Sequence, residues 1–305
     1  MLAGISTWIS FEKEKNICFS NQLKRSIKIL MSYAVATFIV LCVIEHRFDL
    51  KTYLIYLIGF NIQAPYYYLV FYMQLLMVSP LMVRWCAFTN KKKHKWVIHL
   101  GTLGFFGWFA YICINYTYVL PVHGGGKFVC GGTYVILYYV GMLLMSNGVF
   151  AQNINIRLFL MFISLAGSIV WISLMTEGRL PFDVWMSPYW GSGENPPSVN
   201  YMVYSLLILF LCYSSFSLLS EWKNRIIGKL MEMLCLFGKN TLYIWLYHLL
   251  IITFIVHKFP QLIESNVLIR LLGGAMSIIL PTVIKILIVL FLREVGYEIF
   301  RSTDA

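Results

Sequence analysis

Gly238-Lys239-Asn240-Thr241-Leu242-Tyr243-Ile244-Trp245-Leu246-Tyr247-His248-Leu249-Leu250-Ile251-Ile252 decides how the rest of this chain is read. Three polar residues, Lys239, Asn240 and Thr241, stand near its head, and a largely apolar run follows. That order is a membrane edge leading into a spanning helix. Counted from Gly238 at about 1.5 Å per residue, His248 falls roughly 15 Å down, near the middle of a ~30 Å hydrocarbon core. An ionisable side chain at that depth is costly, so by default it is a candidate functional residue. The plainer reading is a neutral imidazole bonded to a neighbouring helix.

Composition extends this to the whole chain. The 305 residues are 59% hydrophobic and 12% charged, with a mean hydropathy of +0.73. Soluble domains carry about 25% charged residues, so most of this chain has no water to face. It is an integral, multi-pass membrane protein, and its fold class is all-α, a polytopic transmembrane helix bundle. Spans are expected at roughly 27–45, 66–86, 97–120, 132–149, 157–175, 199–219, 237–257 and 267–292, about eight in all.

A net charge of +11 suggests nucleic acid until its placement is examined. With the chain starting inside, eighteen of the 24 basic residues fall on cytoplasmic connections, among them Lys24, Arg25, Lys28 and the triple Lys91-Lys92-Lys93. Only Arg47, Lys51, Lys127, Arg179, Lys258 and Arg270 fall outside. This is the positive-inside pattern, and it places both termini in the cytoplasm. Nucleic acid is not expected as a partner; membrane lipid is.

The seven cysteines show no C-x-x-C and no metal-ligand spacing, so they read as small apolar fillers and no metal is expected. Met1 to Ile9 is apolar but too short to cross a bilayer. It runs into Glu12-Lys13-Glu14-Lys15, either as an interfacial anchor or as the tail of a helix whose front is missing. Residues 50–62 read as a short segment at the outer interface. Pro121 to Lys127 lacks the GK[ST] ending of a phosphate loop and reads as an outer turn. The longest outer connection, Thr176 to Ser198, holds four prolines together with Arg179, Asp183, Trp185 and Trp190. Aromatic faces stack on sugars and carboxylates bond hydroxyls; an interfacial aromatic belt is the competing explanation. Pro281 is expected to kink the last span, with Lys285 snorkelling inward. The chain shows no internal repeat.

Three places resemble the acyltransferase-3 family of integral-membrane acyltransferases. Leu23-Lys24-Arg25-Ser26-Ile27-Lys28-Ile29-Leu30 is similar to the family's basic R-x-x-R-I stretch. Tyr66-Tyr67-Tyr68-Leu69-Val70-Phe71-Tyr72 with Ser79-Pro80-Leu81 looks like its H-L-W-F-L and P-L segment. Gly238 to His248 looks like its late G-K-x-S-L-x-I-Y-x-x-H segment, and Asn195 to Tyr201 matches a PPS opening seen in some members. Val70 stands where the family has Trp, and Lys28 replaces the second Arg, keeping the charge but losing the bidentate fork.

The resemblance implies a single acyltransferase-like domain over residues 1–305, with 1–10 the remnant of a truncated helix and 293–305 a cytoplasmic tail. It implies transfer of an acyl group from acyl-CoA, with acetyl-CoA the expected co-substrate, to a hydroxyl of a cell-envelope or exported polysaccharide at a bacterial inner membrane. The family's favoured base, a first-helix histidine, has no counterpart in this sequence; His248, the one histidine placed centrally in a span, is the catalytic candidate, with a supporting or packing role as the alternative reading. Lys24, Arg25 and Lys28 are the candidates for the donor phosphates, against the reading that they only set orientation. Arg179, Asp183, Trp185 and Trp190 are the candidates for the glycan or other hydroxyl acceptor. The competing readings are an inactive truncated homologue or partner subunit, and a transporter of lipid-linked glycan.

Overall fold

The computed structural model describes residues 1–14, 17–59, 67–115, 134–150, 153–176, 199–222, 224–258 and 267–294. Among them are helices and no strand. In chain order these are α1 (Leu2–Glu14), α2 (Phe19–Ile39), which ends in the π-helical turn Val40–Ile44, α3 (Leu50–Gly59), α4 (Tyr67–Asn90) and α5 (Lys95–Asn115). They continue with α6 (Tyr134–Ser146), α7 (Ile154–Thr176), α8 (Val199–Glu221), α9 (Arg225–Lys239), α10 (Thr241–Lys258) and α11 (Val267–Glu294). Each expected span overlaps a helix among the described residues, and the one expected at 237–257 divides between α9 and α10. Five described stretches are long and apolar enough to cross a membrane: Phe19–Ile44, Leu69–Asn90, Ile154–Leu174, Met202–Glu221 and Leu271–Ile288. α6 is apolar but only 13 residues long.

The chain forms two compact units, Met1–Ile27 with Tyr67–Ile227, and Lys28–Tyr66 with Gly228–Ala305. In the first, α1 packs along α6, α4 and α5 pack on α6, and α7 pairs with α8. Lipid is as apolar as leucine, so helices there associate through close fit and hydrogen bonds instead of water exclusion. Gly4 and Gly141 supply the fit: a Cβ on Gly4 would run into the Tyr138 carbonyl, and one on Gly141 into the Met1 carbonyl. Trp8 of α1 joins the core with Leu75, Val83, Cys86, Tyr139 and Met142. The opening residues are therefore packed against α6 and α4.

Pro80 sits inside α4. It lacks an N–H, which leaves the Leu76 carbonyl without its helical partner. The Ser79 hydroxyl donates to that carbonyl at 2.7 Å, so the helix continues through the proline. In the α7–α8 pair, Arg157 meets Glu221 at 2.5 Å and donates to Ser217 at 2.6 Å.

In the second unit α10 packs along α11 and against the π-helical turn of α2. His46 follows that turn in the left-handed region, at φ 51°. Of the residues 50–62 expected as a short interfacial segment, Leu50–Gly59 form α3, which is held to α2 by Tyr33 Oη donating to Tyr56 O and Tyr53 Oη to Ala34 O, and 60–62 lie outside the described residues. Asp49 caps α3 by accepting from the Thr52 amide and hydroxyl. The connection before the late span is itself the helix α9, whose Ile227, Met231, Leu234 and Phe237 are its less exposed positions.

Candidate functional site

Polar side chains on four helices of the first unit converge around Tyr138. Its hydroxyl pairs with Thr7 Oγ1 at 2.6 Å, a buried contact between α1 and α6. Because the Thr7 hydroxyl donates to Ala3 O, Tyr138 is the donor in that pair; Ser79 of α4 and Arg25 of α2 lie near enough to act on it electrostatically. On α2, Gln22 and Ser26 share the buried face, and Gln22 Oε1 and Ser26 Oγ are enclosed without a hydrogen-bond partner among the described residues. Such atoms are costly in an apolar surround.

Lys24 and Lys28 lie on the opposite, exposed side of the same two turns of α2, and Arg25, also exposed, lies at the edge of that side toward Tyr138. Their positions i, i+1 and i+4 keep all three on one side of the helix. No carboxylate pairs with any of them among the described residues. That is a cationic surface beside a helix start, suited to phosphate.

His248 stands in the second unit, partly buried on α10. Its Nδ1–H donates to the Ile244 carbonyl at 2.8 Å, one turn back on its own helix. A carbonyl can only accept, so this bond fixes the tautomer and leaves the lone pair of the neutral ring on Nε2. The bond is to α10 itself, unlike the inter-helix bond that the plainer reading expected. Thr241, on the same face, is exposed and donates to Gly238 O at 2.7 Å.

One turn before Ile244, Asn240 joins α9 to α10. Its Nδ2 donates to Leu236 O at 2.8 Å, and its Oδ1 accepts from Lys285 Nζ of α11 at 2.9 Å. The same ammonium lies 4.5 Å from the centre of the Tyr243 ring. Pairing with an amide oxygen and a π-face is how a lone cation is held within a bundle.

Sequence reasoning missed a second histidine. His99, on α5, is 1% exposed. Its Nε2–H donates to Asn90 Oδ1 at 3.0 Å, and its Nδ1 accepts from Tyr139 Oη at 2.9 Å. Asn90 Nδ2 points to Cys86 Sγ at 3.9 Å, Cys86 meets Ser146 Oγ at 3.7 Å, and Lys95 Nζ donates to Asn147 Oδ1 at 3.0 Å. This ring of polar groups ties together the ends of α4, α5 and α6. His99 follows the lysine-rich loop within two turns, and that position alone disguised it as an edge residue. Arg179, Asp183, Trp185 and Trp190 lie outside the described residues.

A family model for an acyltransferase domain matches residues 1–286. No curated protein and no solved structure matches the chain.

Proposed function

Because the chain belongs to the acyltransferase-3 family, whose model spans residues 1–286, we propose that it moves an acyl group, acetyl in the first instance, from acyl-CoA to a hydroxyl of a cell-envelope or exported polysaccharide. The membrane is a bacterial inner membrane. The reaction joins the acceptor oxygen to the thioester carbonyl carbon and breaks the C–S bond. The hydroxyl proton leaves for a base, and the CoA thiolate takes up a proton.

What carries the reading beyond the family match is the set of cations on α2. Lys24, Arg25 and Lys28 meet no carboxylate among the described residues, so their charge is free for the donor phosphates. His248 supplies the base. Its Nδ1 is occupied by Ile244 O, so Nε2 has the free lone pair that proton abstraction from a hydroxyl requires. Arg179, Asp183, Trp185 and Trp190 hold the acceptor, the aromatic rings against the sugar faces.

The test uses membranes carrying the full chain, labelled acetyl-CoA and envelope glycan. Label is expected in the glycan with wild type and reduced with Arg25→Ala. Wild-type membranes that transfer no label above membranes lacking the chain would overturn the assignment.

A further inference from the structure

α4 and α5 frame a groove of about 540 Å³ lined by Leu81, Met82, Trp85, Ile98, Gly101, Thr102, Phe105 and Phe106. Its volume lies within the roughly 300–1,000 Å³ of small-molecule pockets. It runs from Ile98 to Phe106, about 12 Å along the helix axis, which is most of one ~15 Å leaflet. The floor is low because Gly101 has nothing within 4 Å of where a Cβ would stand. The walls are high because Trp85 and Phe105 project beside it, both largely exposed.

The groove asks for hydrocarbon. Its two polar groups are already paired: the Trp85 indole N–H donates to Thr102 Oγ1 at 3.0 Å, and the Thr102 hydroxyl donates to Ile98 O at 2.8 Å. A sugar or nucleotide would find no partner there. At its mouth the loop joining the two helices carries Lys91, Lys92, Lys93 and Lys95. Lys92 lies 4.3 Å over the Phe88 ring and Lys95 lies 5.3 Å from the Trp96 ring, and no carboxylate pairs with any of the four among the described residues. An apolar trough capped by unneutralised cations matches one chemistry, a negatively charged head on a hydrocarbon tail.

A second copy of the chain fits less well. Helices that dimerise through small residues space them four apart. Gly101, Gly104 and Gly107 are three apart, so each step turns the row about 60° off the face. The residues four after them, Phe105, Trp108 and Tyr111, are aromatic.

We propose that the α4–α5 groove is a binding site for an anionic phospholipid of the lysine-side leaflet, with one acyl chain against Gly101 and Thr102 and the phosphate among Lys91, Lys92 and Lys93. The site is independent of acyl transfer, and its test needs no activity.

The full chain is placed in nanodiscs of equal phosphatidylglycerol and phosphatidylcholine with matched chains, then released into native mass spectrometry. Wild type is expected to keep one phosphatidylglycerol in preference to phosphatidylcholine. Gly101→Leu, whose new side chain enters open space, removes the bound lipid whatever its head. Replacing Lys91, Lys92 and Lys93 with Gln leaves a lipid bound but lowers the preference for the anionic head by at least about tenfold. Gly107→Leu, beyond the groove, changes neither. Wild type that keeps no lipid, or both heads equally, overturns the proposal. So does Gly101→Leu that keeps as much lipid as wild type, or a wild-type dimer that Gly101→Leu dissolves.

Discussion

Gly4 of α1 and Gly141 of α6 stand at a crossing where neither has room for one more carbon. The Cβ of an alanine at position 4 would meet the Tyr138 carbonyl, and at position 141 the Met1 carbonyl. Both obstacles are backbone, which cannot swing aside as a side chain does. Two residues further along α1 than Ile5, Thr7 then reaches the Tyr138 hydroxyl at 2.6 Å. The close approach and the hydrogen bond depend on each other, because a wider crossing would pull the two hydroxyls apart.

Gly4→Ala and Gly141→Ala should each therefore lower stability by about 1–3 kcal/mol, as overpacking does. Thermal unfolding in detergent measures this, and Gly228→Ala, at an open position, serves as the control. Equal midpoints for Gly4→Ala and Gly228→Ala would contradict the tight crossing.

Lys285 and Asn240 should be coupled. Truncating Asn240 to Ala strands the Lys285 ammonium with only the Tyr243 ring, and Lys285→Met leaves Asn240 Oδ1 without its donor. Each change is expected to cost about 1–3 kcal/mol. The double variant should fall short of the sum by about 1 kcal/mol or more in a double-mutant cycle. Strict additivity would mean that the two groups do not depend on one another.

His99 holds two partners from two helices, and its loss strands both. His99→Leu should destabilise by about 1–3 kcal/mol for each of Asn90 and Tyr139. Tyr139→Phe removes one bond and should cost less, about 0.5–1.5 kcal/mol. A reversed order in the same unfolding assay would remove His99 from the centre of this network.

Asp49 gives α3 an acid limit. The Thr52 hydroxyl and amide hold its carboxyl below the usual carboxylate range, with the Lys51 amide and Arg47 charge assisting. A carboxylate whose pKa is lower folded than unfolded contributes stability that is present above the unfolded pKa and lost as pH falls through the folded one. α3 should thus be equally protected across neutral pH and open below about pH 4. Hydrogen exchange of the 51–53 amides, corrected for intrinsic rate, reports it. Asp49→Asn keeps an acceptor and should flatten the response; an unchanged acid opening would place its origin elsewhere.

If His248 is the base for acyl transfer, His248→Ala should reduce label transfer by about 10²–10⁴-fold. The donor concentration for half-maximal rate should stay near that of wild type. Arg25→Ala should act the other way, raising that concentration. A His248→Ala rate equal to wild type would leave the ring a packing residue that caps Ile244 O.

What the sequence shows well is what depends on neighbours along the chain. Gly238 to Ile252 read as a membrane edge and a helix because hydropathy is summed over adjacent residues, and α10 begins at Thr241. The Leu50–Gly59 helix falls within the short apolar segment read at 50–62, while its Asp49 cap emerged only from the structure. α9 was less legible: Arg225, Lys229 and Lys239 looked like an ordinary basic connection, while Ile227, Met231, Leu234 and Phe237 recur at helical spacing. The rank of the histidines could not be read at all. Depth along a span pointed to His248, yet His99, close to a lysine-rich turn, is the more enclosed of the two.

By itself the sequence determined that this chain lives in lipid, where its long apolar helices fall, and to which family it belongs. The tertiary structure alone decided which polar groups meet: Thr7 with Tyr138 across 131 positions, Lys285 with Asn240 across 45, His99 with Tyr139 across 40. Hydrocarbon rewards any apolar residue alike, so a helix can be recognised from composition. Association within it rests on single close contacts and hydrogen bonds, and those exist only once particular faces have been brought together.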